Sequence, residues 1–378
     1  LKVLVAPLDW GLGHATRCVP LVHAMLGLGW DVTLAGEGPS LNILSKEFPD
    51  LPTLPLNGYR ITYPKKGFLL IPKLLIQLPK ISRTISLERK WLKHSFKEHK
   101  WDLVISDNRY GLSIPSTKCI FITHQLWVMI GWGKFIDRVV NKKLHQWIIQ
   151  FNQCWIPDQA EEGGIAGKLS HPPSPYSLSP VPCSLHPIPY SLPPIPYSLH
   201  PIPLIYLGPL SRLTPKENGD ANKILILLSG PEPQRSLLEE KILDQIKDID
   251  EQFLVVRGLP NEKHQPVNTS NIQFENHLTT DALSSTLSDA KLVICRSGYS
   301  SIMDLLKFRK KAVLIPTPGQ TEQLYLAKLM KDKNWFCTEQ QHDFDLTHAI
   351  PQCLASKQVV PSLNFELHKQ VLAELVTQ

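Results

Sequence analysis

The chain has 378 residues, 43% of them hydrophobic and 20% charged, with a formal net charge of +6. That length allows two domains with separate cores, and the absence of any run of 18 uncharged apolar residues argues against a membrane span. Seven scattered cysteines without a C-x-x-C pair argue against a disulfide framework and a zinc site, and for a reducing, cytoplasmic compartment.

Short apolar strands alternate with helix-like stretches along the chain, the pattern of doubly wound α/β domains. Lys2 to Pro7 reads as the first strand and shows no signal peptide. It empties into Pro7-Leu8-Asp9-Trp10-Gly11-Leu12-Gly13-His14-Ala15-Thr16-Arg17. This is not the dinucleotide fingerprint, because Thr16 stands where a third glycine is required. What remains is a glycine turn, Gly11 and Gly13, that delivers the imidazole of His14 to the mouth of a sheet, with Arg17 about one helical turn later. Histidine is the side chain best suited to take a proton near neutral pH.

Further strands are expected at Asp31 to Ala35, Asp102 to Ser106, Lys118 to Thr123 and Cys154 to Pro157. A base needs an orienting partner, and Asp107, in Ser106-Asp107-Asn108-Arg109-Tyr110-Gly111, ends one of these strands. Adjacent parallel strand ends could bring its carboxylate to His14, to hold the ring and stabilise the imidazolium. His124, after the strand Lys118 to Thr123, is the rival for either role. Arg109 and Arg17 are further candidates on this side.

Between Lys65 and Lys100 ten Lys or Arg residues face only Glu88 and Glu98. They are interleaved with Leu69, Leu70, Leu74, Leu75, Ile81 and Ile85, a mixture that suits either a basic helix packed on its own domain or contact with an anionic membrane. No nucleic-acid-binding motif is present. From Pro173 to His200 four seven-residue units follow one another: PSPYSLS, PVPCSLH, PIPYSLP and PIPYSLH. Two prolines in every unit exclude helix and central strand. Excising the units joins a loop at Lys168 to Pro172 to a strand at Leu204 to Tyr206, so the repeat reads as an expansion within a surface loop.

Residues 207–222, opening with Leu207-Gly208-Pro209-Leu210, read as a linker between an N-terminal domain of residues 1–206, which carries the 173–200 insertion, and a C-terminal domain of 223–378. The last helix of the chain is a candidate to return to the first domain. In the second half strands are expected at Lys223 to Ser229, Gln252 to Arg257, Asn271 to Glu275, Lys291 to Cys295, Lys311 to Pro316 and Asn334 to Thr338. The first ends in Leu228-Ser229-Gly230-Pro231-Glu232-Pro233-Gln234-Arg235, where Arg235 could pair with phosphate oxygens.

Cys295-Arg296-Ser297-Gly298-Tyr299-Ser300-Ser301-Ile302-Met303-Asp304 is the most informative stretch: a buried strand empties through a glycine turn into a helix whose first N–H groups would face an anion. Ile302, Leu305 and Leu306 should pack inward, while Asp304, roughly 200° around from Ile302, leaves its carboxylate free for the hydroxyls of a ribose. The next strand leads to Pro318-Gly319-Gln320-Thr321-Glu322-Gln323 and a helix over Leu324 to Met330. Two such turns put their polar residues at the carboxyl edge of a parallel sheet, where these folds bind ligands.

From Lys223 to Met330 the sequence resembles the C-terminal domain of glycosyltransferase family 28, which includes the N-acetylglucosaminyltransferase acting on lipid I in peptidoglycan synthesis. Arg296-Ser297-Gly298, then Asp304, then Pro316 and Glu322-Gln323 fall at the spacing of its nucleotide-sugar motif. The resemblance implies a GT-B fold, two Rossmann-like doubly wound domains facing across a cleft. It also implies inverting transfer from a UDP-sugar of N-acetylhexosamine type, with no cofactor and no required metal ion. Carried over, Ser229-Gly230 and Ser297-Gly298 would hold the diphosphate, Asp304 the ribose, and Glu322 with Gln323 the sugar hydroxyls; Gln320 and Arg296 are further donor-side candidates. Asp304 departs from the glutamate usual there and is one methylene shorter. Gly11-Leu12-Gly13-His14 is similar to the family's acceptor loop, but shorter.

The implied partners are a nucleotide sugar and an acceptor hydroxyl, with a lipid-linked acceptor and the inner face of the plasma membrane admitted by the basic segment 65–100. Two other readings share the same residues. A sugar-nucleotide epimerase would release a rearranged sugar without an acceptor, and a non-catalytic nucleotide-sugar binding protein would bind without turnover.

Overall fold

The computed structural model describes residues 1–61, 70–161, 163–172, 202–217, 222–260 and 262–375. The heptad repeat at 173–200 and the start of the basic segment at 65–69 lie outside the described residues. The chain divides into two units, one formed by Leu1–Arg60, Gln77–Leu210 and Asn364–Gln378 and the other built on Ser211–Leu363.

The first unit runs β1 (Lys2–Pro7), α1 (Leu12–Gly27), β2 (Asp31–Gly36), α2 (Gly38–Glu47), β3 (Thr53–Pro55), α3 (Leu70–His99), β4 (Leu103–Asp107), β5 (Lys118–Ile122), α4 (Lys134–Ile148), β6 (Gln153–Ile156) and β7 (Leu204–Tyr206). The seven strands form one sheet in the order β3-β2-β1-β4-β5-β6-β7, every pair parallel. A parallel sheet is covered on both faces, which is why β1 is apolar at every central position. Val3 and Val5 join the core with Cys18, Leu21 and Met25 of α1. Leu4 and Ala6, pointing the other way, join Leu92 of α3 and Trp101. β3 was not expected, because its three residues lie at the sheet edge between prolines. Leu207 and Leu210, read as the start of a linker, are buried in the core of this unit.

The second unit contains β8 (Lys223–Leu227), α5 (Gln234–Ile246), β9 (Gln252–Val256), β10 (Ile272–Glu275), α6 (Thr280–Asp289), β11 (Ala290–Cys295), α7 (Tyr299–Phe308), β12 (Ala312–Leu314), α8 (Thr321–Asp332), β13 (Cys337–Thr338) and α9 (Leu346–Ala355). Its parallel sheet has the order β10-β9-β8-β11-β12-β13. β12 stops short of the expected Pro316, which has no N–H to give to a ladder. The last helix, α10 (Leu367–Glu374), places Val371 and Leu372 in the core cluster of the first unit, beside α1.

In each sheet the strand order reverses once, between β1 and β4 and between β8 and β11. Ligands of doubly wound folds bind outside the carboxyl ends of the strands at these reversals. No helix among the described residues is long and apolar enough to cross a membrane.

Candidate active site

In the first unit the reversal point carries a buried charge cluster. Pro7 ends β1 beside Asp107 at the end of β4, and Asp107 in turn lies beside Ile122 at the end of β5. α1 starts after Gly11, whose φ of 117° is one that L side chains rarely adopt. His14 and Arg17 then face Asp107 from one turn of that helix.

The Nε of Arg17 donates to Asp107 Oδ2 at 2.7 Å, and its Nη2 donates to Oδ1. The Nδ1 of His14 lies 3.2 Å from the same Oδ1. Burial pushes the Asp107 carboxyl up, but the charges and hydrogen bonds of Arg17 and His14 outweigh it and hold the group well below the usual carboxylate range. The expected His14–Asp107 contact is therefore present.

Arg17 also reaches both imidazoles, its Nη1 standing 2.6 Å from His124 Nδ1 and its Nη2 2.9 Å from His14 Nδ1. A guanidinium can only donate, so His124 accepts through Nδ1. His14 has two options at its single Nδ1. If Nδ1–H donates to Asp107, Nε2 keeps a lone pair and is a base; if Nδ1 accepts from Arg17, Nε2 holds the proton and is not. The His14 side chain is 16% exposed and that of Asp107 is 0% exposed, so of the two only the imidazole reaches the surface. His124 is buried and bonded to Arg17.

Arg109 does not join this cluster. It is fully buried and donates to the carbonyls of Pro7 and Asn57 and to Glu88 Oε1 at 2.9 Å. Glu88 Oε2 accepts from the Tyr59 hydroxyl and the Gly111 N–H. Arg109 thus ties the end of β1 and the Asn57 loop to α3. The loop above is held by Asp9, which accepts the N–H groups of Tyr59 and Arg60. A Cβ at Gly58 would stand 2.2 Å from the Asp9 carboxylate, so any larger residue there would displace that carboxylate.

In the second unit Ser229 and Gly230 follow β8, and Ser297 and Gly298 follow β11. Gly230 has a φ of 107°. Gly298 caps α7 with no side-chain acceptor, and a Cβ there would meet nothing closer than Ser301 Oγ at 3.9 Å. Gly298 itself therefore brings no side-chain acceptor to the first turn of α7. Ser297 Oγ donates to the Gln323 carbonyl at 2.8 Å, tying this turn to α8. Gln320 caps α8, Glu322 lies in its first turn, and Gln323 Oε1 accepts the Thr317 N–H at 2.8 Å.

Three expected ligand contacts are already occupied. Arg296 is buried and donates to the carbonyls of Ile315, Pro316 and Gln234 and to Gln341 Oε1, bracing strand ends from below. Burial pushes its pKa down to about 10. Arg235, expected to pair with phosphate, is buried between Glu232 and Glu239, with N–O distances of 2.6 and 2.7 Å. Asp304, expected to be free, accepts from Ser211 Oγ at 2.5 Å through Oδ1. Burial pushes its carboxyl up to about 6, against the opposing pull of Ser211, Arg212 and Lys307.

Ser211 and Glu88 were not anticipated, because the sequence separations involved carry no local signal. Thr317 was also missed, although the strand-to-helix turn that contains it was read as part of the site. Among the described residues no group of three or more His, Cys, Asp and Glu side chains is arranged to hold a metal ion.

Residues 232–370 match the model of the glycosyltransferase family 28 C-terminal domain. No curated protein is similar enough in sequence to match. Among solved structures the chain is similar to a glycotransferase of kitacinnamycin (TM-score 0.67, 13% identity, covering 100% of this chain and 98% of that one). It is also similar to the spinosyn rhamnosyltransferase SpnG complexed with thymidine diphosphate (TM-score 0.57, 14% identity, 100% and 96%). A third likeness is to MurG from Acinetobacter baumannii (TM-score 0.52, 14% identity, 100% and 99%). The fold is GT-B, and the family match within it supports a glycosyltransferase.

Proposed function

We propose that the protein transfers a hexosyl group of N-acetylhexosamine type from a UDP-linked sugar to a hydroxyl acceptor, with inversion at the anomeric carbon. The observation that carries this reading is the His14–Asp107–Arg17 cluster at the sheet reversal of one unit. The other unit, where the family 28 domain matches, supplies an uncapped helix start at its own reversal.

With Nδ1–H donating to Asp107, His14 Nε2 takes the proton of the acceptor hydroxyl while that oxygen attacks the anomeric carbon. The bond from that carbon to the diphosphate breaks on the opposite face, and the nucleoside diphosphate leaves with the electron pair. Its charge is met by the first N–H groups of α7 and by the Ser229–Gly230 turn. Ser211 holds Asp304 Oδ1, so the ribose contact falls to Oδ2, with Glu322 and Gln323 on the sugar hydroxyls. No step requires a metal ion.

α3 buries Ile85, Glu88, Leu92 and Ser95 and turns Arg83, Lys90, Lys93 and Lys97 outward beside the exposed Leu87. Such a face suits the anionic inner surface of the plasma membrane and an acceptor carried on lipid. The spinosyn enzyme was solved with thymidine diphosphate, so a test of the donor must include both nucleotides.

The test is a screen of UDP- and dTDP-linked hexoses and N-acetylhexosamines for release of the nucleoside diphosphate, with acceptor lipids in anionic vesicles. Release that needs the acceptor and falls about 10²- to 10⁴-fold in His14→Ala, with donor affinity unchanged, supports the reading. Acceptor-independent conversion to a rearranged sugar nucleotide would establish an epimerase instead, and donor binding without turnover a binding protein.

A further inference from the structure

Among the described residues Thr317 carries the only buried side-chain hydroxyl without a hydrogen-bond partner. Its surroundings explain why no protein group reaches it. Thr317 follows β12, Gly230 follows β8, and both strands flank β11, so the two residues stand on either side of the Ser297–Gly298 turn. A Cβ built on Gly230 would have Thr317 Oγ1 as its nearest neighbour, at 3.8 Å. The backbone of Gly230 and the hydroxyl of Thr317 therefore look into one small space. The main chain of Thr317 is fixed independently, its N–H donating to Gln323 Oε1 at 2.8 Å and its carbonyl accepting from the Gln320 N–H at 3.1 Å.

The charge accounting of this edge points to what the space receives. A nucleoside diphosphate leaving group is strongly anionic, yet Arg235 is committed to Glu232 and Glu239, and the Nη1 and Nη2 of Arg296 to Gln341 and backbone carbonyls, which leaves only its buried Nε without a partner. Ser297 Oγ is committed to the Gln323 carbonyl. Neutral donors must then do much of the work, namely main-chain N–H groups at the α7 start and any hydroxyl still able to donate. Thr317 carries such a hydroxyl in a buried position, beside the exposed one of Ser229. A buried hydroxyl left unpaired is unfavourable, and the same group becomes favourable once a charged acceptor comes to it.

We propose that Thr317 is a donor-binding residue whose hydroxyl donates a hydrogen bond to a phosphate oxygen of the bound nucleoside diphosphate. This deepens the proposed function and rests on it.

The experiment is calorimetric titration of wild type, Thr317→Val and Thr317→Ser with UDP and thymidine diphosphate, and with the parent nucleosides uridine and thymidine. Valine keeps the shape and removes the hydroxyl. It should weaken binding of the preferred diphosphate roughly tenfold or more, leave nucleoside binding unchanged, and not lower the melting temperature. Serine should retain most of the affinity. If the valine protein is poorly folded, Thr317→Ala, which removes the hydroxyl without adding volume, gives the same comparison. Wild-type diphosphate affinity in the folded Val or Ala protein would overturn the assignment alone, as would an equal loss for nucleoside and diphosphate. Failure of the wild type to bind either diphosphate would overturn the proposed function together with it.

Discussion

Asp107→Asn is the substitution for which the structure makes the largest combined demand on stability and chemistry. The carboxylate is fully buried and faces two N–H groups of Arg17 and the Nδ1 of His14. Asparagine keeps the shape but removes the charge and, whichever way the amide is placed, turns its N–H toward an Arg17 N–H that can only donate. The Arg17 guanidinium is then left buried without its counter-charge, which costs about 3–5 kcal/mol. For a unit of this size that lowers the melting temperature by roughly 6–20 °C. Replacing both members, as Arg17→Met with Asp107→Asn, removes the stranded charge and should recover much of the stability.

Activity should not return in the double variant, because an amide, unlike a carboxylate, can donate to His14 Nδ1 as well as accept from it and no longer selects the catalytic tautomer. The acid limb gives an independent check. The Asp107 pKa is lower folded than unfolded, so its contribution is complete above the unfolded value near 4 and is lost as pH falls from there toward the folded value. Asp107→Asn should lack that part of the acid slope in a series of melting curves. A loss under about 1 kcal/mol, or a double variant as unstable as the sum of the single ones, would refute the buried-pair account.

Asp304 has the opposite sign. Its folded pKa is raised to about 6, so its contribution to stability is greatest below the unfolded value near 4 and is lost as pH rises through 6. Nucleotide affinity should move the other way, falling as pH drops from 7 to 5 because protonation withdraws the ribose acceptor; Asp304→Asn should bind more weakly and show a flatter profile by calorimetry. Arg235→Met should lower the melting temperature, since it leaves Glu232 and Glu239 without their shared guanidinium, yet change nucleotide affinity little. A large affinity loss at unchanged stability would return Arg235 to the phosphate site.

The strands that build both reversal points were legible because their apolar runs are continuous and end in glycine or in a charged residue, as at Pro7-to-Gly11, Asp107 and Cys295-to-Gly298. The meeting of His14 with Asp107 followed from parallel strand ends alone. The arginines have protein partners that the sequence did not show, for a physical reason: a side chain with five donors goes wherever acceptors are buried, and sequence order does not show which those are. Arg235 did carry a local sign, with Glu232 three residues before it and Glu239 four after, the spacing of helical ion pairs. Arg109 with Glu88 and Ser211 with Asp304 carried none. Asp304 was placed correctly on the face of α7 away from Ile302, but the chain segment that covers that face is 93 residues distant.

The account's central claim is that a nucleoside diphosphate binds the second unit at the carboxyl ends of β8, β11 and β12. Hydrogen–deuterium exchange with and without saturating UDP or thymidine diphosphate tests it without knowledge of the acceptor. The account predicts protection concentrated in residues 228–234, 296–304 and 316–323. No nucleotide-dependent protection there, or protection confined to the first unit, would contradict it.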